Sequence, residues 1–259
     1  MTAPQYLLDS PIARVVERCC PGALLMRRRT AAETLAGMLD LQGSVRLAHC
    51  LGDPRRKAVE DASLHPPLLL GDYVRQRLTA IEEGMVRRLA RPFDGARLRV
   101  ADPAQVRVQL AEGREDGRAF AEAIWGTYRD LFLGSVGRVR ADVAELREEV
   151  ASDLRAAGER GKTLETVDGV VRAALNVSVP DLLGRLATAM RGAFVDALAA
   201  AVERLPAVID DPAIAAWFGE RGVLGAQIAR TRELTRTFLV RDGQMVQTLV
   251  DATFAEGAA

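Results

Sequence analysis

The chain has few of the residues that mark a secreted or membrane-spanning protein. Among its 259 residues only Cys19, Cys20 and Cys50 are cysteines. An odd count with an adjacent pair makes a poor disulfide framework, which predicts a reducing compartment. No run of about 18 uncharged apolar residues is present, and the opening MTAPQYLLDSP lacks the basic and apolar regions of a secretory signal. We therefore expect a cytoplasmic protein with no transmembrane segment.

Net charge is absent as well, because 35 acidic residues balance 35 basic ones. Long-range attraction to nucleic acid is not expected of such a molecule, so we predict no nucleic-acid partner. Two short basic clusters, at residues 27–29 and 55–57, lack a helix-turn-helix pattern beside them and are interpreted as solvent-exposed.

Aromatic residues make up only 5% of the chain, and alanine, leucine, valine and arginine supply most of its bulk. This composition favours helix over sheet. Apolar residues recur every seven positions between 118 and 157, and similar patterns cover 180–205 and 223–254. We predict an all-α fold, an elongated helical bundle with long heptad-patterned helices and a smaller N-terminal helical part.

The sequence divides into four predicted regions. Residues 1–52 are expected to form an N-terminal helical hairpin, and the proline-rich residues 53–71 a linker or surface loop. A helix from Asp72 to Ala90 followed by an irregular or short β-hairpin segment is predicted for 72–117, because apolar and polar residues alternate near its end. Residues 118–259 form the predicted long-helix bundle.

Proline and glycine residues predict two further features of that bundle. We expect separate helices at 164–175 and from Ser178, Pro180 and Asp181 onward, since proline suits the first turn of a helix. Glycine is unfavourable inside a helix, so Gly126, Gly134 and Gly137 predict local bending or close helix contact.

The stretch AAGERGKT, residues 156–163, fits a loose form of the phosphate-binding loop. In such a loop Gly161, Lys162 and Thr163 hold a nucleotide, which makes a nucleotide-binding enzyme or switch the alternative function. A phosphate loop follows a buried β-strand, whereas the residues before Gly158 are charged and helical in pattern. We therefore interpret Gly158 as the end of a helix and Thr163 as the cap of the next one.

No other pattern carries recognisable chemistry. His49 and Cys50 with Cys19 and Cys20 match no standard metal-ligand spacing, and His65 has no evident partner. We predict no catalytic, cofactor-binding or metal-binding residue.

The opening SPIARVVE and RRTAAETLAGMLDLQGSVRLAHCL resemble an uncharacterised proteobacterial family, domain of unknown function 3348. Ala32-Glu33-Thr34-Leu35 and Leu39-Asp40 match its pattern, while Met38 and Leu41 stand where the family has tryptophans. YRDLFLGSVGRVRADVAELREEV and LLGRLATAMRGAFVDAL are similar to its middle and late helices. Members tend to be encoded beside a membrane protein with a long helical tail and a peptidoglycan-binding partner. The resemblance thus implies a cytosolic component of an envelope-spanning, motor-like assembly.

Long heptad-patterned helices without a chemical motif favour a non-enzymatic scaffold or adaptor that binds partner helices. The expected partners are proteins, including a membrane protein with a helical tail, and a homo-oligomer is compatible with the same pattern. No cofactor is predicted.

Overall fold

The structure, a computed structural model, describes residues 18–19, 67–90, 106–108, 110–111, 116–156, 158–205 and 211–254. Nearly all of these residues are helical and none is in a strand, so the all-α prediction is confirmed for the described part of the chain. The helices with defined bounds are α1 (Pro67–Ala90), α2 (Gly117–Ala156), α3 (Glu159–Glu203), α4 (Asp211–Phe218) and α5 (Val223–Phe254).

Helices α2 and α3 form a long antiparallel hairpin. Near the turn that joins them, Arg155 Nη1 lies 3.1 Å from Glu165 Oε1. At the far end, Arg118 Nη1 lies 3.2 Å from Asp196 Oδ1. With about 1.5 Å of rise per residue, the 40 residues of α2 make a rod of about 60 Å. The two helices therefore stay in contact along the whole of this length.

Helix α5 runs parallel to α2, and α1 runs antiparallel to both. The core clusters give the direction of α5, because its first half packs with the first half of α2 and its second half with the second half. Asp242 of α5 lies beside Arg140 near the middle of α2. Ion pairs give the direction of α1. In α1, Arg77 pairs with Glu149 and Arg88 with Asp142, so the numbering of α1 rises as that of α2 falls. The result is a bundle of α1, α2, α3 and α5.

The core divides into two clusters along the bundle. One is rich in rings and joins the first half of α2 to the second half of α3, to α4 and to the first half of α5. Its rings include Trp125 and Tyr128, which lie 5.5 Å and 5.1 Å from the ring of Phe194. The other cluster is largely aliphatic and joins the second halves of α2 and α5 to α1.

The heptad pattern of α2 is buried within the chain itself. Its apolar residues pack on α3, α5 and α1, and each has at most 3% of its surface exposed. These residues are Phe132, Val136, Val139, Val143, Leu146, Val150 and Leu154. They are called the α2 seam below. The seam forms the core of the fold and leaves no apolar stripe on the outside of α2.

The structure differs from the predicted regions at two places, and other parts of them lie outside the described residues. Helix α1 begins at Pro67, inside the predicted linker, and packs on α2 and α5 as part of the bundle. Where a short hairpin or irregular segment was expected, the described residues 106–108 and 110–111 are helical. Apart from residues 18 and 19, the predicted N-terminal hairpin lies outside the described residues, as do residues 53–66 of the predicted linker.

The predicted break before Pro180 is wrong, because α3 runs as one helix of 45 residues through this proline. A proline inside a helix removes one backbone hydrogen bond and disfavours the helix by about 3 kcal/mol. Packing on both sides outweighs that penalty. Leu164 packs against the aliphatic cluster, and Leu186 and the residues beyond it lie in the ring-rich cluster.

The close contacts predicted at Gly126, Gly134 and Gly137 are also absent. A methyl group added to any of these glycines would meet no atom of the described residues within 4 Å, leaving aside the helix's own nearby backbone. In addition, α2 is continuous from Gly117 to Ala156. These positions therefore carry the intrinsic cost of glycine in a helix with no packing reason for it.

We predict that Gly134→Ala raises the free energy of unfolding by about 1 kcal/mol, because alanine loses less backbone entropy in a helix. Urea unfolding followed by circular dichroism measures the change. Gly243→Ala serves as the control, since its added carbon would lie 2.9 Å from Leu78 Cδ2 and should cancel the gain. A loss of stability in Gly134→Ala would contradict this account of α2.

Candidate functional site

The AAGERGKT stretch forms the corner between α2 and α3. Helix α2 ends at Ala156, and α3 begins at Glu159 after Gly158. Gly158 has φ 97° and ψ −165°, a backbone conformation open almost only to glycine. As predicted, a helix therefore precedes Gly158, and glycine makes the turn.

The second glycine of the stretch is explained by a close approach. A side-chain carbon on Gly161 would lie 1.9 Å from the carbonyl oxygen of Leu154. The first turn of α3 is thus packed directly on the last turn of α2. The helix begins earlier than the predicted 164, so the prediction that Thr163 caps it is wrong. Gly158 is the capping residue, and none of the described side chains forms a cap hydrogen bond.

We predict that Gly158→Ala and Gly161→Ala each lower the free energy of unfolding by about 1–3 kcal/mol, the first through backbone strain and the second through overpacking. Lys162 is exposed, so Lys162→Ala is the matched control and should change stability by less than about 0.5 kcal/mol. Thermal or urea unfolding measures all three variants. A free energy of unfolding in Gly161→Ala equal to that of the wild type would contradict the close approach of Gly161 to the carbonyl of Leu154.

A second feature, which the sequence did not single out, is a groove at the end of the bundle where α3, α4 and α5 meet. It encloses about 500 Å³, within the range of about 300–1,000 Å³ typical of ligand pockets. One wall is a row of alanines on α3, at Ala193, Ala197 and Ala201, and the other is the start of α5. Trp217 of α4 and Phe194 of α3 supply the large apolar side chains. We call this the α3–α5 groove.

Three arginines line the α3–α5 groove: Arg204, Arg221 and Arg230. None of them takes part in an ion pair with another residue that the structure describes. The side-chain amide of Gln227 also lines the groove and is 1% exposed. Its oxygen accepts a 3.0 Å hydrogen bond from Arg230, but its nitrogen has no hydrogen-bond partner among the described residues. A buried amide donor without a partner costs free energy, so Gln227 is an incompletely satisfied polar group in the wall of a positively charged groove.

The sequence did contain a weak signal for this groove. Small residues recur every four positions at 193, 197 and 201 in α3, and again at 222, just before α5, and at 226 within it. Four-residue spacing places side chains on one face of a helix, and small residues leave room for a close neighbour. Only the packing of α4 across the helix ends shows that the two rows face one space.

The other candidate residues are mostly beyond the described part of the chain. Of the four considered for a metal, Cys20, His49 and Cys50 lie outside the described residues, and so does His65. Cys19 is buried, and its Sγ donates to Glu233 Oε2 at 3.4 Å. Within the described ranges, no three His, Cys, Asp or Glu side chains cluster as a metal site would require.

No helix among the described residues has a stretch long and apolar enough to cross a bilayer. The chain matches no family model, no curated protein and no solved structure.

Proposed function

We propose that this protein is a non-enzymatic helical adaptor and that the α3–α5 groove binds an acidic amphipathic helix of a partner protein. The observation that carries the proposal is the combination of an apolar groove with three arginines that have no acidic partner among the described residues. Helix-in-groove recognition uses apolar anchors for affinity and charged residues at the edges for specificity.

The groove, and not the α2 seam, is the surface available to a partner. The seam residues are buried against α3, α5 and α1, so they cannot also bind another protein without unfolding the bundle. The alanine row lets a partner backbone come close, and Trp217 beside it is the kind of side chain that often dominates binding energy.

The groove is polar enough at its edges to favour an acidic partner over a purely apolar one. Arg204 and Arg221 are exposed, and Arg230 is half-buried. Carboxylates placed beside them gain charge-assisted hydrogen bonds, which are stronger than neutral ones. A basic helix would instead meet like charge on the same edges.

We propose a cytosolic component of an envelope-associated, motor-like complex as the setting. This step rests on the resemblance of the sequence to the proteobacterial family and not on the groove. In that setting the partner helix belongs to the tail of a membrane protein.

The nucleotide-binding alternative for residues 156–163 is not proposed, because the corner geometry accounts for both glycines.

The test is a photo-crosslinking amino acid placed at Ala197, in the groove, in cells of the native host. Mass spectrometry of the product then identifies the crosslinked segment. We expect an acidic amphipathic helix, and a yield at least severalfold lower when Arg221→Glu reverses the charge at the groove edge. Arg129→Glu is the matched control, since Arg129 is exposed on α2 outside the groove.

The same crosslinker at Ala141, an exposed alanine on α2, gives the background. Equal products from Ala141 and Ala197 would contradict the proposal, and so would a crosslinked segment without acidic residues. A product joining two copies of this chain would identify a homo-oligomer in place of a partner.

A further inference from the structure

A small cavity about halfway along the bundle lies between α2, α3 and α5 and is separate from the α3–α5 groove. It encloses about 100 Å³, which is room for several water-sized groups. Four arginines line it, together with one amide and one carboxylate: Arg140, Arg147, Arg172, Arg241, Asn176 and Asp242. Such an excess of arginine is unusual where three packed helices meet.

Arg147 is the most deeply buried of the four. Only 9% of its side chain is exposed. Its Nε and Nη2 atoms have no hydrogen-bond partner among the described residues. The nearest carboxylate belongs to Asp168, whose Oδ2 lies 3.5 Å from Arg147 Nε. Burying charged donors without partners is costly, so these two nitrogens indicate an incompletely satisfied site.

The acidic groups nearby do not satisfy the other arginines fully. Arg241 bonds to Asp242 through Nε at 2.7 Å and through Nη2 at 2.6 Å. Arg140 has to share that carboxylate, and its Nε, at 3.5 Å, forms no hydrogen bond with a described residue, whereas its Nη2 donates to Asn176 Oδ1 at 2.6 Å. Arg172 pairs with Glu148, which is well exposed. The four arginines thus have three carboxylate partners, of which only Asp242 lines the cavity, while Asp168 and Glu148 do not.

Asp168, the counter-ion of Arg147, is itself largely buried, with 13% of its side chain exposed. Burial raises the pKa of the Asp168 carboxyl above its ordinary value, and the charges of Arg147 and Arg172 oppose that rise only in part. Burial of this ion pair is therefore costly, and Asp168 does not itself line the cavity.

We propose that this cavity binds a phosphate group, with Arg147 and Arg140 as its inner contacts and Arg172 and Arg241 nearer the solvent. The inner pair is one heptad apart on α2, so both side chains lie on the same face of that helix. A guanidinium group offers several donors in a planar fork that matches the oxygens of phosphate. Free phosphate and the terminal phosphate of a phosphomonoester share this chemistry.

Phosphate bound there would contact side chains of all three helices at once. It binds the folded chain and not the unfolded one, so it raises the melting temperature as its concentration increases. This inference uses residues separate from those of the α3–α5 groove and stands or falls independently of the proposed function.

The test compares thermal unfolding in sodium phosphate with unfolding in sodium chloride at equal ionic strength, together with calorimetric titration of phosphate. We expect phosphate to raise the melting temperature of the wild type above the chloride value. Arg147→Met keeps the volume but removes the unpartnered nitrogens, and should weaken phosphate binding by roughly tenfold or more. Arg191→Met is the matched control. Arg191 is exposed on α3 and paired with Glu122, so this variant should bind as the wild type does.

Arg172→Gln is a second test variant, since Arg172 is more exposed and its replacement leaves the core unchanged. If Arg147→Met does not fold, weaker phosphate binding by Arg172→Gln still supports the site, and unchanged binding overturns it. Equal melting temperatures in phosphate and chloride, with no heat of binding, would also overturn it. Glycerol phosphate in place of phosphate distinguishes the sources: tighter binding assigns the group to a phosphomonoester, and weaker binding to the free ion.

Discussion

The fold depends on the burial of the α2 seam against three other helices of the same chain. Seven apolar side chains of α2 are almost fully removed from water, and each such burial stabilises by about 1.5–3 kcal/mol. This packing lets α3 continue as one helix through Pro180, and α1 packs on α2 and α5. A heptad pattern that would ordinarily suggest a coiled coil between chains is here used within one chain.

Both proposed sites lie where this packing is incomplete. At one end, α4 packs on α5 and leaves a groove that is lined largely by small residues of α3 and of the start of α5. Near the middle, long arginine side chains replace apolar ones between α2, α3 and α5, and their charges are only partly balanced. A buried ion pair seldom contributes more to stability than a well-packed apolar pair of the same size. Such arginines are therefore more readily explained by binding than by stability.

Much of the fold could be predicted from local sequence. Apolar periodicity predicted α5 from Val223 to Phe254, and α2 within one residue at each end, because amphipathic periodicity is strong in long helices. The prediction at Pro180 was wrong, because the local preference of proline to begin a helix was outweighed by the packing of residues on either side of it. Gly161 could not be interpreted from sequence, because its role depends on a carbonyl of the preceding helix.

The sites were less predictable than the helices. Arg147 in the sequence looks like any charged residue on an amphipathic helix, and only the position of α3 and α5 makes it buried. The α3–α5 groove needs α4 to close it, and its alanines have no chemistry of their own. Sequence patterns report which face of a helix is apolar, but not which charged residues a neighbouring helix will cover.

Hydrogen exchange of the α2 backbone amides between residues 132 and 154, followed over a wide range of protein concentration, tests the central claim most directly. If the seam is buried within one chain, protection of these amides is the same at every concentration and is lost only in global unfolding. Protection that falls on dilution, together with a decrease in molecular mass, would mean that the seam is buried between chains, and would contradict the account.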